Sequence, residues 1–412
     1  MTPALPVLTA FVLTAASALA QPSTNAPDFV TVLQRNLKSW DKDKNNQLSP
    51  MEIDAALADP NLSGEDAAAA ATIKCISRDN FYRVRRVDIA TIKDDIRLMQ
   101  PENRSAVMSD EWFTPDWQKA FEVVLKRAAA FRSTGIAANP TPSLDTLKID
   151  RYGSIPLLAV LVSTMYHRPE FAQSMVAAAP DKHWKVITPL WTQELGPITE
   201  GQATSCSTSD DAWARVVESG IDALDRERFP QPAYTGRVAN FDERFACIQN
   251  YFMLVTGKQS AVTTFRKPTG SRSTSGWSYQ LLGNPEGLAS TASQMLGQAF
   301  SKKKIAVALT DNSSLLAANA KRSVTSGTLP PNIAPFAAFA IVSIDPQAKT
   351  ITLAGPGGGD LAASGPESIS NGYAMTGGKW TMPLTDFVQV FCGFVLESDN
   401  PAFLPGQSRQ KR

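Results

Sequence analysis

Six oxygen-bearing residues stand at regular intervals between Asp41 and Glu52. Asp41, Asp43 and Asn45 occupy the first, third and fifth positions of a twelve-residue segment, Gln47 the seventh, Ser49 the ninth and Glu52 the last. A hard divalent cation such as calcium takes six to eight oxygens at 2.3–2.6 Å, and this spacing supplies them. Side chains serve at the first three positions and the backbone carbonyl at Gln47. Ser49 stands where a water often intervenes, and Glu52 binds through both carboxylate oxygens. Leu48, at the eighth position, is placed to pack inward. The departure is Asn46, where glycine is usual for a left-handed turn; asparagine tolerates that conformation best among the remaining residues. The spacing therefore predicts a calcium site of micromolar or weaker affinity.

Such a loop must be held between two helices. Before it, Phe29, Val32, Leu33, Asn36, Leu37 and Trp40 recur at helical spacing; after it, Met51, Ile53 and Leu57 do so, and Asp59-Pro60 ends the run. Helix, loop and helix together make an EF-hand. These units usually pair. Residues 64–99 are helical in pattern and carry no second ligand set, so they are expected to supply an unliganded partner.

The first twenty residues contain no charged side chain, and they end in Ala18-Leu19-Ala20 ahead of Gln21. A short apolar stretch before a small-x-small site is the layout of a secretory signal peptide, too short to span a bilayer. The expected location is secreted or periplasmic, with about 390 residues left after cleavage, enough for two domains or one large one with an appendage. The 412 residues include 40 basic and 39 acidic side chains. That balance gives no electrostatic reason to expect nucleic acid or an anionic membrane as partner. Cys75, Cys206, Cys247 and Cys392 are far apart and form no zinc pattern. Two disulfides, in any of three connectivities, and four buried thiols are both open readings. His167 and His183 are the two histidines.

Downstream, residues 117–131 read as a helix and 137–143 as a linker. Residues 157–166 form an apolar run on nearly every face and are expected to be a central buried helix, with Pro156 in its first turn. Residues 171–178, 213–224, 245–255 and 288–300 read as helices, and 269–278 as a mobile loop. Residues 305–309 read as a strand, and 339–344 with 350–353 as a hairpin. The run at 384–394 is expected to be a last helix continuing through Val395-Leu396. Helices first and strands later predict an α+β class.

The order of these elements resembles the catalytic core of calpain-type cysteine proteases, a branch of the papain-like group. The resemblance covers residues 147–397. The stretch Arg151-Tyr152-Gly153-Ser154-Ile155-Pro156-Leu157-Leu158-Ala159 resembles the Gln-Gly-x-x-Gly-Asp-Cys-Tyr/Trp junction that opens the family's buried helix. Arg168-Pro169-Glu170 stands where that helix often ends, and Trp213 to Glu218 resembles a Trp-x-x-Leu-Leu-Glu helix. Leu254-Val255-Thr256-Gly257 is similar to a Leu-Thr-Gly motif and Ala337-Ala338-Phe339-Ala340-Ile341 to a His-Ala-Tyr-Ala-Val strand. Ala354-Gly355-Pro356-Gly357-Gly358 resembles Arg-Asn-Pro-Trp-Gly, and Asp386-Phe387 the closing helix.

The resemblance implies a papain-like core of helical and β-rich halves, preceded by a small all-helical EF-hand segment. Taken with the signal-peptide and calcium-loop readings, it divides the chain into a signal peptide (1–20), an EF-hand region (21–110), a protease-like domain (120–400) and a tail (401–412). The family's thiol, imidazole and amide fall on Ile155, Ala337 and Gly355, none of which can attack a carbonyl, move a proton or orient an imidazole. The resemblance thus implies a calcium-binding pseudoprotease, with a peptide or protein held in the degenerate cleft. Two alternatives are an atypical calcium-dependent cysteine endopeptidase and an EF-hand protein on an unrelated α+β domain.

Overall fold

The computed structural model describes residues 27–402 except 79–83, 85, 101–113, 138–139, 145–146, 148–153, 207–210, 229–240, 269–278, 311–329, 331–332, 334–336 and 356–358. The signal-peptide reading, the loop at 269–278 and nearly all of the tail therefore lie outside the described residues.

The N-terminal half is helical. Helix α1 (Phe29–Trp40) is capped by Asp28, which accepts from the Thr31 N–H, and α2 (Pro50–Leu57) is capped by Ser49. They are followed by α3 (Gly64–Arg78), α4 (Ile89–Leu98) and α5 (Trp117–Thr134). The apolar spacing of α1 buries Phe29, Val32, Leu33 and Trp40 against Ile53 and Leu57 of α2, the alanine-rich face of α3, Ile92 of α4 and Trp117, Phe121 and Val124 of α5. Phe29 stacks parallel to Trp117 at 5.8 Å between centroids and tilts against Phe121 at 5.4 Å. Helix α5 thus shares the N-terminal core. Met51 departs from its expected inward place: it is 77% exposed, because the helix turns Glu52 and Ile53 inward instead.

The second half is α+β, as the element order predicts. Helix α6 (Ile155–His167) is buried along nearly its whole length, and α7 (Pro169–Ser174) follows it. A three-stranded antiparallel sheet comes next, made of β1 (Val176–Ala178), β2 (Trp184–Ile187) and β3 (Thr192–Leu195). The helix expected over 171–178 therefore ends at Ser174, because residues 176–178 pair with 184–186 of β2. Helices α8 (Glu200–Ser205), α9 (Ala212–Arg228) and α10 (Phe241–Thr256) precede β4 (Lys258–Thr264) and a short hairpin of β5 (Arg266–Pro268) and β6 (Tyr279–Leu281). Helix α11 (Pro285–Phe300), β7 (Ala306–Thr310), β8 (Ala338–Asp345), β9 (Thr350–Ala354), β10 (Lys379–Pro383), α12 (Leu384–Val390) and β11 (Phe391–Pro401) complete the chain.

The main sheet has the order β10-β9-β8-β7-β11-β4 and every pairing is antiparallel. Strand β7 is buried on both faces. Because alternate side chains point to opposite faces, Val307 and Leu309 join the core built on α6, α9 and α10, whereas Ala306 and Ala308 join the core built on α11 and α12. Strand β8 divides likewise, with Ala338 and Ala340 on one side and Phe339 and Ile341 on the other. The last helix ends at Val390, earlier than the sequence reading expects. Residues 391–401 form β11, seated between β7 and β4, since a run buried on all sides satisfies its backbone equally well as a central strand.

Helix α6 is tied to the sheet at its C-terminal half. The Ser163 hydroxyl donates to the Ala306 carbonyl at 3.1 Å and accepts from the Ala306 N–H at 3.2 Å. His167 Nε2 lies 3.0 Å from the Ile341 carbonyl, and its ring stacks on Phe300 at 4.4 Å.

Candidate metal centre

The loop between α1 and α2 brings three of the six predicted ligands together. Carboxylate oxygens of Asp41, Asp43 and Glu52 lie within 4.8 Å of one another. Two oxygens bound at 2.3–2.6 Å across one ion are separated by about 5 Å at most, so the three groups fit a single cation. All available donors are oxygens, which selects a hard cation over zinc or copper. Turn chemistry shapes the loop. Asn46 takes φ +63° and Lys44 φ +59°. The Asp41 carboxylate accepts from the Asn45 N–H at 3.1 Å and the Asn46 N–H at 2.8 Å, folding the loop around the first ligand. Asn45 donates from Nδ2 to Asp43 at 2.8 Å and accepts from the Gln47 N–H at 2.7 Å.

Glu52 does double duty. It reaches back from the third position of α2 and accepts from the Lys42 and Asp43 N–H groups at 2.7 and 3.3 Å. Its other oxygen accepts from the Ser49 N–H and hydroxyl, both at 2.8 Å, which closes a capping box with Ser49. Burial pushes its carboxyl group up, but the hydrogen bonds from Ser49, Lys42 and Asp43 outweigh this and hold it below the usual glutamate range. Ser49, predicted as the ninth-position ligand, thus directs its hydroxyl to Glu52. Leu48 is buried, as expected, and its N–H donates to the Val87 carbonyl at 2.9 Å. Val87 lies just before α4, so the backbone leading into α4 backs the loop. No second cluster of metal-ligating groups occurs in 64–99 among the described residues.

The positions that the protease resemblance singles out sit as follows. Ile155 opens α6, Ala337 precedes β8 and Gly355 follows β9. Antiparallel pairing brings the start of β8 and the end of β9 to the same end of the sheet, with Ala340 opposite Ala354. Ile155 packs against both hydrophobic cores. The Ala337 N–H donates to the Thr310 hydroxyl at 2.9 Å, and its carbonyl accepts from the Thr310 N–H at 3.0 Å. A Cβ built on Gly355 would come 3.0 Å from the Trp380 ring, so an amide side chain would require the indole to give way.

Cys75, Cys206 and Cys392 are buried and Cys247 is half-buried. Burial pushes the Cys206 thiol far above its ordinary value, opposite to the activation that a thiolate nucleophile needs. Burial also lowers the pKa of His167, which sits between Phe300 and the Ile341 carbonyl. His183 is exposed and contacts the carbonyls of Pro180 and Asp181. Among the described residues, no helix is long and apolar enough to cross a membrane.

Sequence reasoning missed the far end of α2. Asp54 pairs with Lys74 at 3.0 Å, and the Leu57 carbonyl accepts from the Thr199 hydroxyl at 2.5 Å. These partners come from α3 and from the turn that caps α8, and no local pattern announces them. No family model matches the chain, and no curated protein matches it either.

Proposed function

We propose that this chain is an exported calcium-binding protein whose α+β body is a catalytically degenerate relative of calpain-type cysteine proteases. Its role in this reading is binding or scaffolding of a peptide or protein. The observation that carries the calcium reading is the convergence of Asp41, Asp43 and Glu52 oxygens within 4.8 Å, in a loop whose backbone N–H groups orient every one of those carboxylates. The ion would neutralise three clustered charges and join the end of α1 to the start of α2.

The pseudoprotease reading is supported by chemistry at the family positions. Hydrocarbon from Ile155 fills the seam between the two cores where a thiol would stand. Ala337 and Gly355 offer neither imidazole nor amide. A helix N-terminus alone lowers a barrier only when a nucleophile is present to use it.

Calorimetric calcium titration of the purified chain should show one binding event that Asp41→Ala removes. Incubation with casein and a thiol-reactive active-site probe should give neither cleavage nor calcium-dependent labelling. Cleavage that co-purifies with the chain through size exclusion, and disappears on alkylation of a single cysteine, would overturn the pseudoprotease half of the proposal.

A further inference from the structure

Helix α2 is anchored at both ends. At its start, Ser49 and Glu52 form the capping box that also belongs to the calcium loop. At its finish, Thr199 donates to the Leu57 carbonyl, and Gly201 of α8 lies flush against the same residue. A Cβ on Gly201 would sit 3.0 Å from the Leu57 carbonyl oxygen and 3.1 Å from its Cα, so glycine is what lets the two backbones meet. Asp54, midway along α2, is buried beside Lys74 of α3.

Helix α8 is in turn held along its length by the N-terminal helices. Glu200 accepts from the Gly64 N–H at 2.9 Å and pairs with Arg132 of α5 at 2.6 Å. At the other end, Arg78 of α3 donates to the Ser205 carbonyl at 2.5 Å, and Arg127 of α5 to the Cys206 carbonyl at 2.7 Å. Arg78 also faces Asp222 of α9 at 3.6 Å. The six residues of α8 are therefore the joint between the calcium-loop helices and the α+β body.

We infer that calcium acts here as a staple: occupancy of the Asp41–Glu52 loop rigidifies α2 and, through Leu57, Thr199 and Gly201, stabilises α8 and its seat on the body, without opening the helix pair. This rests on the calcium-binding reading above. In sensor EF-hands the ion swings the helices apart and exposes an apolar groove. That motion is opposed here, because swinging α2 would break the Thr199 bond and part Leu57 from Gly201. A cation that fixes the N-terminal turn of α2 instead lowers the opening frequency of everything α2 holds.

The test is hydrogen–deuterium exchange of the full chain with and without calcium, alongside calorimetry and the fluorescence of an apolar-surface dye. Calcium should slow exchange in peptides covering α1, α2 and residues 199–206, by on the order of tenfold in the last, and leave dye fluorescence unchanged. In Gly201→Ala, which lies outside the loop, the loop should still bind calcium and protect α1 and α2, but protection at 199–206 should fall. Thr199→Ser, which retains the hydroxyl, should behave as the unaltered chain. Calcium binding that protects the loop while 199–206 exchanges unchanged would overturn the staple and leave the calcium reading standing. Increased dye fluorescence with faster exchange at 199–206 would overturn it in favour of opening. Absence of any calorimetric signal would remove the calcium reading itself and the staple with it.

Discussion

Replacing Glu52 by Gln separates the metal's contribution from that of the loop. The carboxylate accepts from Lys42, Asp43 and twice from Ser49 at 2.7–3.3 Å. The amide keeps the shape but turns one acceptor into a donor, so one pair of these contacts is lost. A hydrogen bond to a charged group contributes about 1.5–3 kcal/mol. Against this, Glu52 crowds Asp41 and Asp43, and two like charges about 4 Å apart repel by ~1 kcal/mol in water and ~4 kcal/mol at the effective dielectric of a protein surface. The two effects oppose each other and are similar in size. The stability of the metal-free chain should therefore move by no more than ~3 kcal/mol, less than either effect alone could reach. Calcium binding behaves otherwise. Losing an outer-shell partner costs up to ~100-fold in metal affinity, and losing a bidentate ligand costs at least that. At a free calcium concentration 100 times the dissociation constant, the unaltered chain gains about 2.7 kcal/mol. A 100-fold weaker variant at the same concentration gains only about 0.4 kcal/mol by the same relation. Urea unfolding followed by tryptophan fluorescence, with calcium and with chelator, measures both increments. A Gln variant that keeps more than half of the calcium increment would refute the assignment of Glu52 as the bidentate ligand.

Three further outcomes are expected. The Glu52 carboxyl group is held below its ordinary value in the folded chain, so the folded state binds fewer protons there than the unfolded state. Its stabilisation is therefore complete above the ordinary glutamate value of ~4.3 and is lost as pH falls through the lower folded value. Acid titration followed by circular dichroism should show this loss, and Glu52→Gln should remove its share of it. Asn46, at φ +63°, should accept glycine with about two- to threefold tighter calcium binding, ~0.5 kcal/mol, whereas Asn46→Ala should weaken binding, both read by calorimetry. Ser163→Ala, which strips both hydrogen bonds from Ala306, should destabilise the body by about 1–3 kcal/mol in urea without changing calcium affinity.

The convergence of Asp41, Asp43 and Glu52 was legible because it is local. Twelve consecutive residues carry the three carboxylates, the left-handed position and the cap, and no distant contact is needed to place them. The burial of α6 was legible for a related reason: a run apolar on every face has nowhere to go but inside. The strand at 391–401 was not, since a continuous apolar segment suits either a buried helix or a central strand, and only the seat between β7 and β4 decides. Residues 176–178 failed similarly, as they owe their extended form to β2.

By itself, then, the sequence determined the chemistry: which oxygens converge at Asp41 to Glu52, and that Ile155, Ala337 and Gly355 bring no reactive group to the body. Tertiary structure alone decided connection. That Val87 backs Leu48, that α5 completes the first core, and that Leu57 meets Gly201 across 144 positions of chain depend on packing between segments far apart in sequence. Such contacts form because they bury area and satisfy backbone groups together, a property of the assembled surfaces and of no single stretch.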